Sequence, residues 1–469
     1  MGKKSASLKS ILWILKPEFI PKHNEGRTMN IEFLKQMQCP YCSNSITIGK
    51  IVNEEKDELI DGYIKCECSI FPILRGILIL RESPLNDDVI EQIKERRIEE
   101  ATMRYLWPES FEKIYSIKRL SLLSSLQFSR IFEILANLTR IKTEGTYRRL
   151  CAQYSNPLIP FFNLIGNSLF DKYLKHRFST ESFWSLYPFL PLLKKKNERI
   201  LDLACGVGHA SFVLSNYVDP KQLVLADSSF KLLYLAKKYF VPEAQFICLD
   251  ANFSLPFENG TFSSIIMSDA FHYVRSRISL AREMKRSLSL KGLMLLLHVH
   301  NSLTSNLGED YALTPKSWHA LFDQAQLEIK VIPEKEAICK FLSGNELDLT
   351  NEYSEYELDS ANSLIYLATL DKSLLVKYNM IDQEFLKIKN NLVINPIYKM
   401  KEESSKILLE RLTSELTFDN YPLSEKYLAR KYEIDKQSVK GRQVEISNTR
   451  EVEDLMKKFI VINVPNNYL

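Results

Sequence analysis

An acidic residue and two glycines stand where an apolar segment of the sequence ends. Residues 199–209 read RILDLACGVGH, so the apolar run around Asp202 breaks into a turn that contains Gly206 and Gly208. A glycine has no Cβ atom, which allows a ligand to lie directly against the backbone of such a turn. Apolar residues return with helical spacing over residues 210–215. We therefore expect a strand, a tight ligand-binding turn and a helix here.

Two more apolar segments end in carboxylates. Residues 222–227 read QLVLAD, and residues 245–250 read QFICLD. Asp227 suits a pair of ribose hydroxyls, because an ionised carboxylate can accept a hydrogen bond from each of them. A glycine turn alone is weak evidence, since any dinucleotide-binding domain can carry one. The turn and the acid that follows it together indicate a site for a ligand with a ribose.

These segments resemble the class I S-adenosylmethionine-dependent methyltransferases. The family pattern D-x-x-x-G-x-G matches residues 202–208, and residues 250–262 are similar to the pattern D-A-x-x-L-P-F-x-x-x-x-F-D, with one additional residue before Leu255 and with Ser263 in place of the last acid. The resemblance continues through residues 264–300. It implies an α/β fold, a Rossmann-like seven-stranded domain, and an enzyme that uses S-adenosylmethionine to methylate a substrate.

The resemblance also implies where the cofactor would bind. The glycine turn would face its methionine end, the acid after the second strand its ribose, and the acid after the third strand its adenine. The end of the fourth strand would line the space beneath the sulfonium. The cofactor-binding residues expected on this basis are Asp202, Ala204, Gly206, Gly208, Asp227, Ser228, Asp250, Ala251, Ser268 and Asp269.

A catalytic base is optional in this chemistry, because alignment and desolvation supply much of the acceleration of an in-line methyl transfer. His272 is the first candidate for a base, with Tyr273 beside it, and packing is the alternative role for both. His298 and His300 near the end of the fifth strand are further residues that could meet a substrate. We expect no metal at this histidine pair, since the sequence shows no carboxylate at ligand spacing.

Four of the eight cysteines form two close pairs, Cys39 with Cys42 and Cys66 with Cys68. In a reducing compartment, such pairs indicate a tetrahedral structural zinc site rather than disulfides. Residues 68–80 are similar to the end of the zinc-ribbon domains that activate tRNA methyltransferases as small subunits. Here the second pair is C-x-C and thus one residue shorter than in that family. A ribbon fold without the metal is the alternative.

These anchors divide the chain into five regions. The seven-stranded domain is expected to follow a zinc-ribbon-like unit and a helical insertion, and to precede an α+β C-terminal extension. The insertion would cap the substrate or serve as a scaffold, and an amphipathic helix is predicted near residues 402–416. The expected regions are a basic lead-in at 1–30, the zinc-ribbon-like domain at 31–84, the helical cap or linker at 85–193, the methyltransferase domain at 194–371 and the extension at 372–469.

Composition is that of an ordinary globular chain. A net charge of +4 on 469 residues gives no electrostatic argument for nucleic acid. No apolar run approaches the ~20 residues that span a bilayer. We therefore expect a cytoplasmic enzyme without a membrane span, and the sequence leaves its oligomeric state open.

Two substrate classes fit the sequence. We favour O- or C-methylation of a small molecule of secondary or lipid-like metabolism, because residues 161–189 are rich in aromatic side chains. An RNA or protein methyltransferase that recognises its substrate through the ribbon is the alternative, since residues 113–149 carry eight basic residues against two acids. Against base methylation, SDAF at residues 268–271 replaces an N-P-P-Y-type motif. A degenerate methyltransferase that acts as a binding scaffold is a third reading.

Overall fold

The protein is described by a computed structural model that covers most of residues 29–469. The expected basic lead-in therefore lies almost entirely outside the described residues, as does most of the basic segment at 113–149. Not described are residues 1–28, 56–57, 109–144, 146–148, 151, 155, 157, 167, 194–197, 305–310, 380–390, 413–427 and 447–448.

An antiparallel sheet forms the N-terminal part of the described chain. Its middle strand, β3, pairs with β1, β2 and β4, and β4 turns back into the short strand β5. All three residues of β5 are apolar and buried, as is typical of a strand with neighbours on both sides. The elements are β1 (Met29–Asn30), α1 (Ile31–Lys35), β2 (Thr47–Glu55), β3 (Glu58–Lys65), β4 (Ile70–Leu74) and β5 (Ile77–Ile79).

Short helices follow this sheet. Two of them, α2 and α3, come directly after β5, and the others lie just before the central sheet. Aromatic stacking joins this second group to the end of the chain, with Trp184 4.4 Å from Phe459 and Phe161 5.2 Å from Tyr468 between ring centroids. The helices are α2 (Asn86–Lys94), α3 (Ile98–Leu106), α4 (Phe161–Leu164), α5 (Leu169–His176), α6 (Glu181–Trp184) and α7 (Leu190–Leu193).

The central sheet has the seven strands that the sequence predicts. Their order is β8-β7-β6-β9-β10-β13-β11, and only β13 runs antiparallel to its neighbours. The elements are β6 (Ile200–Leu203), α8 (His209–Leu214), β7 (Leu223–Asp227), α9 (Phe230–Leu235), β8 (Gln245–Cys248), β9 (Phe262–Ser268), α10 (Arg277–Ser287), β10 (Leu288–His300), α11 (Pro315–Gln324), β11 (Ile329–Pro333), α12 (Glu334–Leu342), β12 (Glu346–Asp348), α13 (Glu355–Asp359) and β13 (Ser363–Thr369).

The direction of chain progression reverses at β6, which has β7 on one side and β9 on the other. After β6, the chain first adds β7 and β8 on one side of that strand and then β9 and β10 on the other. The connections on the two sides therefore separate, and a crevice opens at the carboxyl ends. Ligands of open α/β sheets bind in such a crevice. The fold therefore places the glycine turn that follows β6 at the expected binding site.

Parallel pairing of β5 with β8 joins the N-terminal and central sheets. Ile77, Leu78 and Ile79 lie opposite Phe246, Ile247 and Cys248. In the part of the chain that the structure describes, the two sheets thus form one sheet of twelve strands. Leu78 is fully buried in a cluster that includes residues of both sheets. The hydrophobic core is therefore continuous across the junction.

The C-terminal region consists mainly of small antiparallel sheets. The predicted helix near residues 402–416 is wrong over its described part, because β16 and β17 form a hairpin there. In β17, alternate side chains are buried, so a run of apolar residues packs with period two instead of helical period. The elements are β14 (Lys377–Asn379), β15 (Asn391–Ile394), β16 (Tyr398–Glu402), β17 (Lys406–Arg411), β18 (Lys431–Asp435), β19 (Val439–Lys440), β20 (Gln443–Val444), α14 (Thr449–Lys457) and β21 (Val461–Val464).

Within the described ranges, no helix combines the length and the apolar character that crossing a membrane requires.

The continuous core predicts that the two joined sheets unfold together. Leu78→Ala should lower the free energy of unfolding by about 2–5 kcal/mol, since it leaves a cavity in the hydrophobic core that both sheets share. Urea unfolding followed by circular dichroism should still show one transition. Ile70→Ala, at an exposed position of β4, is the control and should cost less than about 1 kcal/mol. Two separate transitions in the unsubstituted protein would contradict a shared core.

Candidate functional site

A cavity of about 370 Å³ opens at the carboxyl ends of β6 to β9. Its lining includes nine of the ten residues expected to bind the cofactor, all of them except Gly208. The strand ends supply these residues from one side, and the helices before the central sheet supply others from the opposite side. The volume is in the range of about 300–1,000 Å³ that is usual for small-molecule sites.

The two glycines of the turn have different roles. Gly206 has φ 57°, and a Cβ atom built on it would meet no atom within 4 Å, so its open side faces the cavity. Gly208 has φ 84°, and a Cβ atom there would lie 3.0 Å from the Leu225 side chain. Gly208 therefore allows α8 to pack closely on β7, whereas Gly206 leaves room for a ligand.

Asp227 at the end of β7 holds the glycine turn in place. Its Oδ2 accepts the backbone N–H of Gly206 at 2.9 Å, and its Oδ1 accepts that of Ser229 at 2.8 Å. Burial raises the pKa of this carboxyl, although the N–H groups of Ser229, Gly206 and Ser228 act in the opposite direction. Each oxygen still has a lone pair that can accept a ribose hydroxyl.

Asp202 supports the turn from below. Its Oδ2 accepts the hydroxyl of Ser211, in the first turn of α8, at 2.6 Å. The side chain is almost fully buried, and this burial raises its pKa to about 6. The bond ties the end of β6 to the helix that follows the turn. Asp202 is therefore placed to orient the turn.

Asp250 shapes the loop after β8. Its Oδ1 accepts both the backbone N–H of Asn252 at 2.9 Å and the side-chain amide of the same residue at 2.8 Å. The side-chain oxygen Oδ1 of Asn252 in turn accepts the backbone N–H groups of Arg275 and Ser276. Asn252 also lines the cavity, a role that sequence reasoning missed because the family pattern leaves that position open.

The helices before the central sheet complete the cavity. Aromatic and aliphatic side chains from α5 and the residues that follow it contribute to the lining, and sequence reasoning did not single them out as site residues. Within the described chain, the additional lining residues from this region are Phe170, Tyr173, Leu174, Arg177 and Phe183. Only the aromatic richness of residues 161–189 indicated this wall, and the role of the region as a substrate cap or a scaffold stays a prediction.

Arg177 connects this wall to the end of β9. One of its terminal nitrogens lies 3.2 Å from the Ser268 hydroxyl, and the other lies 3.3 Å from Oδ2 of Asp269. Tyr173 donates its hydroxyl to the same Oδ2 at 2.6 Å. Burial raises the pKa of Asp269, but His298, Arg177 and His272, together with the Tyr173 bond, lower it below the usual value.

The two candidates for a base differ in their positions. Tyr273 lines the cavity and its side chain is 47% exposed. His272 is fully buried, outside the cavity lining, with its Nε2 atom 3.8 Å from Oδ1 of Asp269. A contact between His272 and a substrate therefore needs a change in the position of Asp269 or of the ring.

A carboxylate lies near His298 and His300, although the sequence shows none at ligand spacing. Their Nε2 atoms lie 4.0 and 3.9 Å from Oδ1 of Asp269, which comes from a different strand and is invisible to spacing arguments. Nδ1 of His298 also donates to Oε2 of Glu334 at 2.6 Å. Burial lowers the pKa of His298, but Glu334 and Asp269 raise it more, so the net shift is upward.

The four paired cysteines meet in the N-terminal sheet. Sγ–Sγ distances are 3.5 Å for Cys39 and Cys68, 3.9 Å for Cys42 and Cys66, and 3.3 Å for Cys66 and Cys68. Thiolates ~2.3 Å from a tetrahedral zinc lie ~3.8 Å apart, whereas a disulfide would need ~2.0 Å. The backbone N–H of Asn44 lowers the pKa of Cys42 to about 7, whereas burial raises the pKa of Cys39 and the hydrogen bond with Cys66 raises that of Cys68. The donor set and its spacing therefore fit zinc.

Comparisons with known proteins agree with this fold. Residues 201–296 match a family model described as a methyltransferase domain. Demethylmenaquinone methyltransferase of Thermotoga maritima is 29% identical over 142 residues, which are 30% of this chain and 61% of that protein. Malonyl-[acyl-carrier protein] O-methyltransferase of Legionella pneumophila is 30% identical over 111 residues, which are 24% of this chain and 39% of that protein. The chain thus spans less than two thirds of either relative.

Solved structures are similar to part of the chain. The YcgJ protein of Bacillus subtilis is 21% identical and covers 39% of this chain and 97% of its own, with a TM-score of 0.29. A complex of the Haloferax volcanii Trm112 methyltransferase activator with a methyltransferase is 13% identical and covers 45% of this chain and 98% of its own, with a TM-score of 0.34.

The strand order around β6 is that of the Rossmann-like methyltransferase fold, and residues 201–296, which match the methyltransferase-domain model, lie within this part of the chain.

Proposed function

We propose that the protein is an S-adenosylmethionine-dependent methyltransferase that O- or C-methylates a small molecule of secondary or lipid-like metabolism. The observation that carries this proposal is the shared cavity, in which the glycine turn and the aromatic wall face each other. A cofactor on the turn would leave its reactive end toward that wall. Bound S-adenosylmethionine would supply the methyl group.

The chain's own residues can hold this cofactor at three points. The open side of Gly206 accommodates a ligand against the backbone, and the carboxylate of Asp227 can accept two ribose hydroxyls. Asp250 and Ala251 lie on the cavity wall next to the loop that Asn252 fixes. Because these groups are held by bonds within the protein, little reorganisation is needed on binding, which favours affinity.

The acceptor side of the cavity suits an apolar molecule. Phe170 is 53% exposed and Tyr273 is 47% exposed, so both rings offer apolar surface near the opening. The two curated relatives are named for demethylmenaquinone and for malonyl-[acyl-carrier protein], which supports an acceptor of the lipid-like or carrier-bound kind. Exposed aromatic surface that is grouped at a cavity mouth commonly marks a ligand site.

The charges of the cavity disfavour an RNA substrate. Among the described lining residues, four aspartates face a single arginine, Arg177, which is already paired with Asp269. RNA binding rests mainly on positive groups that contact phosphates, and such contacts make affinity fall steeply with salt. Salt-dependent RNA binding by the purified protein would therefore favour the alternative function.

Cofactor binding should depend on Asp227. Asp227→Ala should weaken S-adenosylhomocysteine binding by about 30- to 1,000-fold, since two charge-assisted hydrogen bonds worth on the order of 2–4 kcal/mol are lost. Calorimetric titration measures this change. Asp323→Asn, an exposed position on α11, is the control and should bind like the unsubstituted protein. Equal affinity in the folded Asp227 variant would contradict the assignment of the ribose site.

Asp202 should make stability depend on pH. Its pKa in the folded protein, about 6, is above the ordinary value of 3.8, so its stabilising contribution is present at low pH and is lost as the pH rises from about 4 through 6. Asp202→Asn keeps an acceptor for Ser211 without the charge. The difference in unfolding free energy, variant minus wild type, should rise by about 3 kcal/mol across that window. A difference that stays constant in urea titrations at several pH values would contradict the assigned shift.

We also propose that Cys39, Cys42, Cys66 and Cys68 hold a structural zinc ion, as the spacing of their sulfurs supports. Cys39→Ser should remove one equivalent of zinc and lower the melting temperature, because binding energy at such sites contributes to folding. Cys339→Ser, on α12, is the matched control. Elemental analysis that finds no zinc in the unsubstituted protein would support the metal-free ribbon instead.

A further inference from the structure

Three histidines surround one carboxylate oxygen next to the proposed methyltransferase cavity. From this arrangement, we propose that Asp269, His272, His298 and His300 form a second metal site, which binds a divalent first-row transition metal such as Zn²⁺ or Fe²⁺. The site is separate from the four-cysteine cluster. It goes beyond the proposed function, which needs no metal.

The donor atoms of the histidines lie around one carboxylate oxygen. Nε2 of His272, His300 and His298 lies 3.8, 3.9 and 4.0 Å from Oδ1 of Asp269. One donor atom each of Asp269, His272 and His300 lies within 4.8 Å of the others. These separations are too long for hydrogen bonds. Two bonds of ~2.1 Å that meet at a tetrahedral angle separate their donors by ~3.4 Å, so each Asp269–histidine separation exceeds that of coordinated donors by about half an ångström, and ion binding would draw the rings toward the carboxylate.

The carboxylate is oriented for this role by the helices of the cap. Tyr173 donates to Oδ2 of Asp269 at 2.6 Å, and Arg177 lies 3.3 Å from the same oxygen. These two contacts fix the plane of the carboxylate and leave Oδ1 directed at the histidines. An oxygen held in this way needs little rearrangement to act as a ligand.

His298 has the partner that metal-binding histidines usually have. Its Nδ1 donates to Glu334 at 2.6 Å, and its Nε2 faces Asp269. A carboxylate that accepts one ring N–H of a ligand fixes the tautomer and raises the basicity of the other nitrogen. Glu334 is thus a positioning residue, which acts on the ion through His298.

The backbone is strained at two of the four residues. Asp269 has φ 56° and His298 has φ 54°, both in the left-handed region although neither is glycine. The pairing of β10 with β13 shifts register between Leu296 and Val299, which places an extra residue in β10. Bulges re-aim side chains near active sites, and strain of on the order of 1–3 kcal/mol persists where the surroundings require it. Both strained residues direct their side chains into the same cluster.

Ligand type and access indicate the kind of ion. Imidazole nitrogens suit zinc, iron, cobalt or nickel, whereas magnesium and calcium prefer oxygen ligands. The His272 ring is fully buried, but the His298 side chain is 22% exposed, so an ion can reach the cluster from that side. Asp269 also lines the cavity. An ion here would bind a heteroatom of the methyl acceptor as a further ligand, a role that rests on the proposed function.

The test counts metal equivalents in the full-length protein. After dialysis against Zn²⁺, elemental analysis should find two equivalents in the unsubstituted chain and one in Cys39→Ser/Cys42→Ser. His298→Gln and His300→Gln should each keep the cysteine-bound ion and lose the second. His319→Gln, an exposed histidine on α11, is the control and should keep two.

Affinity gives a second readout. In the cysteine double variant, calorimetric titration with Zn²⁺ should show one site, and Glu334→Gln should weaken it by about 10- to 100-fold. Co²⁺ substitution separates the sites by spectrum, because only the cysteine site gives thiolate charge-transfer bands.

A single equivalent in the unsubstituted protein, lost entirely in the folded cysteine variant, would overturn the second site. S-adenosylhomocysteine binding is measured on the same samples. Two metal equivalents without cofactor binding would support the metal site while contradicting the proposed function.

Discussion

The candidate site depends on one largely buried carboxylate, that of Asp269, whose negative charge neighbouring groups must compensate. Asp269 follows β9, where an ionised group is costly unless hydrogen bonds and opposite charges surround it. The compensating groups come from three directions, with Tyr173 and Arg177 from the helices before the central sheet and the histidines from β10 and the turn after β9. Because these partners come from separate parts of the fold, the requirement for compensation fixes the helices before the central sheet relative to that sheet. The aromatic wall of the cavity is positioned by the same contacts.

A second constraint comes from the edge of the central sheet. β8 would present unpaired backbone groups on its outer side, and the pairing with β5 satisfies them within the chain. The cysteine cluster lies in loops of the sheet that begins with this pairing, so its geometry and the stability of the edge are linked. Arg81, just beyond β5, donates to the backbone carbonyl of Ser228 at 2.8 Å. The N-terminal sheet therefore reaches the end of β7, where Asp227, the carboxylate proposed to bind the ribose, lies.

Local patterns predicted the central sheet, the glycine turn and the cysteine cluster, because each depends on residues close together in the sequence. Residues 202–208 specify a strand and a turn whatever surrounds them. The contact of Arg177 with Asp269 joins residues 92 positions apart, and no spacing rule predicts it. The same limit hid the carboxylate near His298, which reaches the histidines from another strand. The wrong helix near residue 407 has a different cause, since pairing between β16 and β17 overrode a helical-looking pattern.

The charges of the cavity restrict both the cofactor and the methyl acceptor that would bind there. Four aspartates and one paired arginine among the described lining residues create a negative potential, which attracts a cationic ligand and repels phosphates. A sulfonium cofactor meets this condition, and a polyanionic acceptor does not. The exposed rings of Phe170 and Tyr273 add apolar surface at the opening, where a phosphate would gain nothing. A neutral, largely apolar acceptor with one reactive heteroatom or carbon satisfies the electrostatic and the hydrophobic constraint together. A metal ion bound at Asp269 would give such a heteroatom its one strongly polar contact.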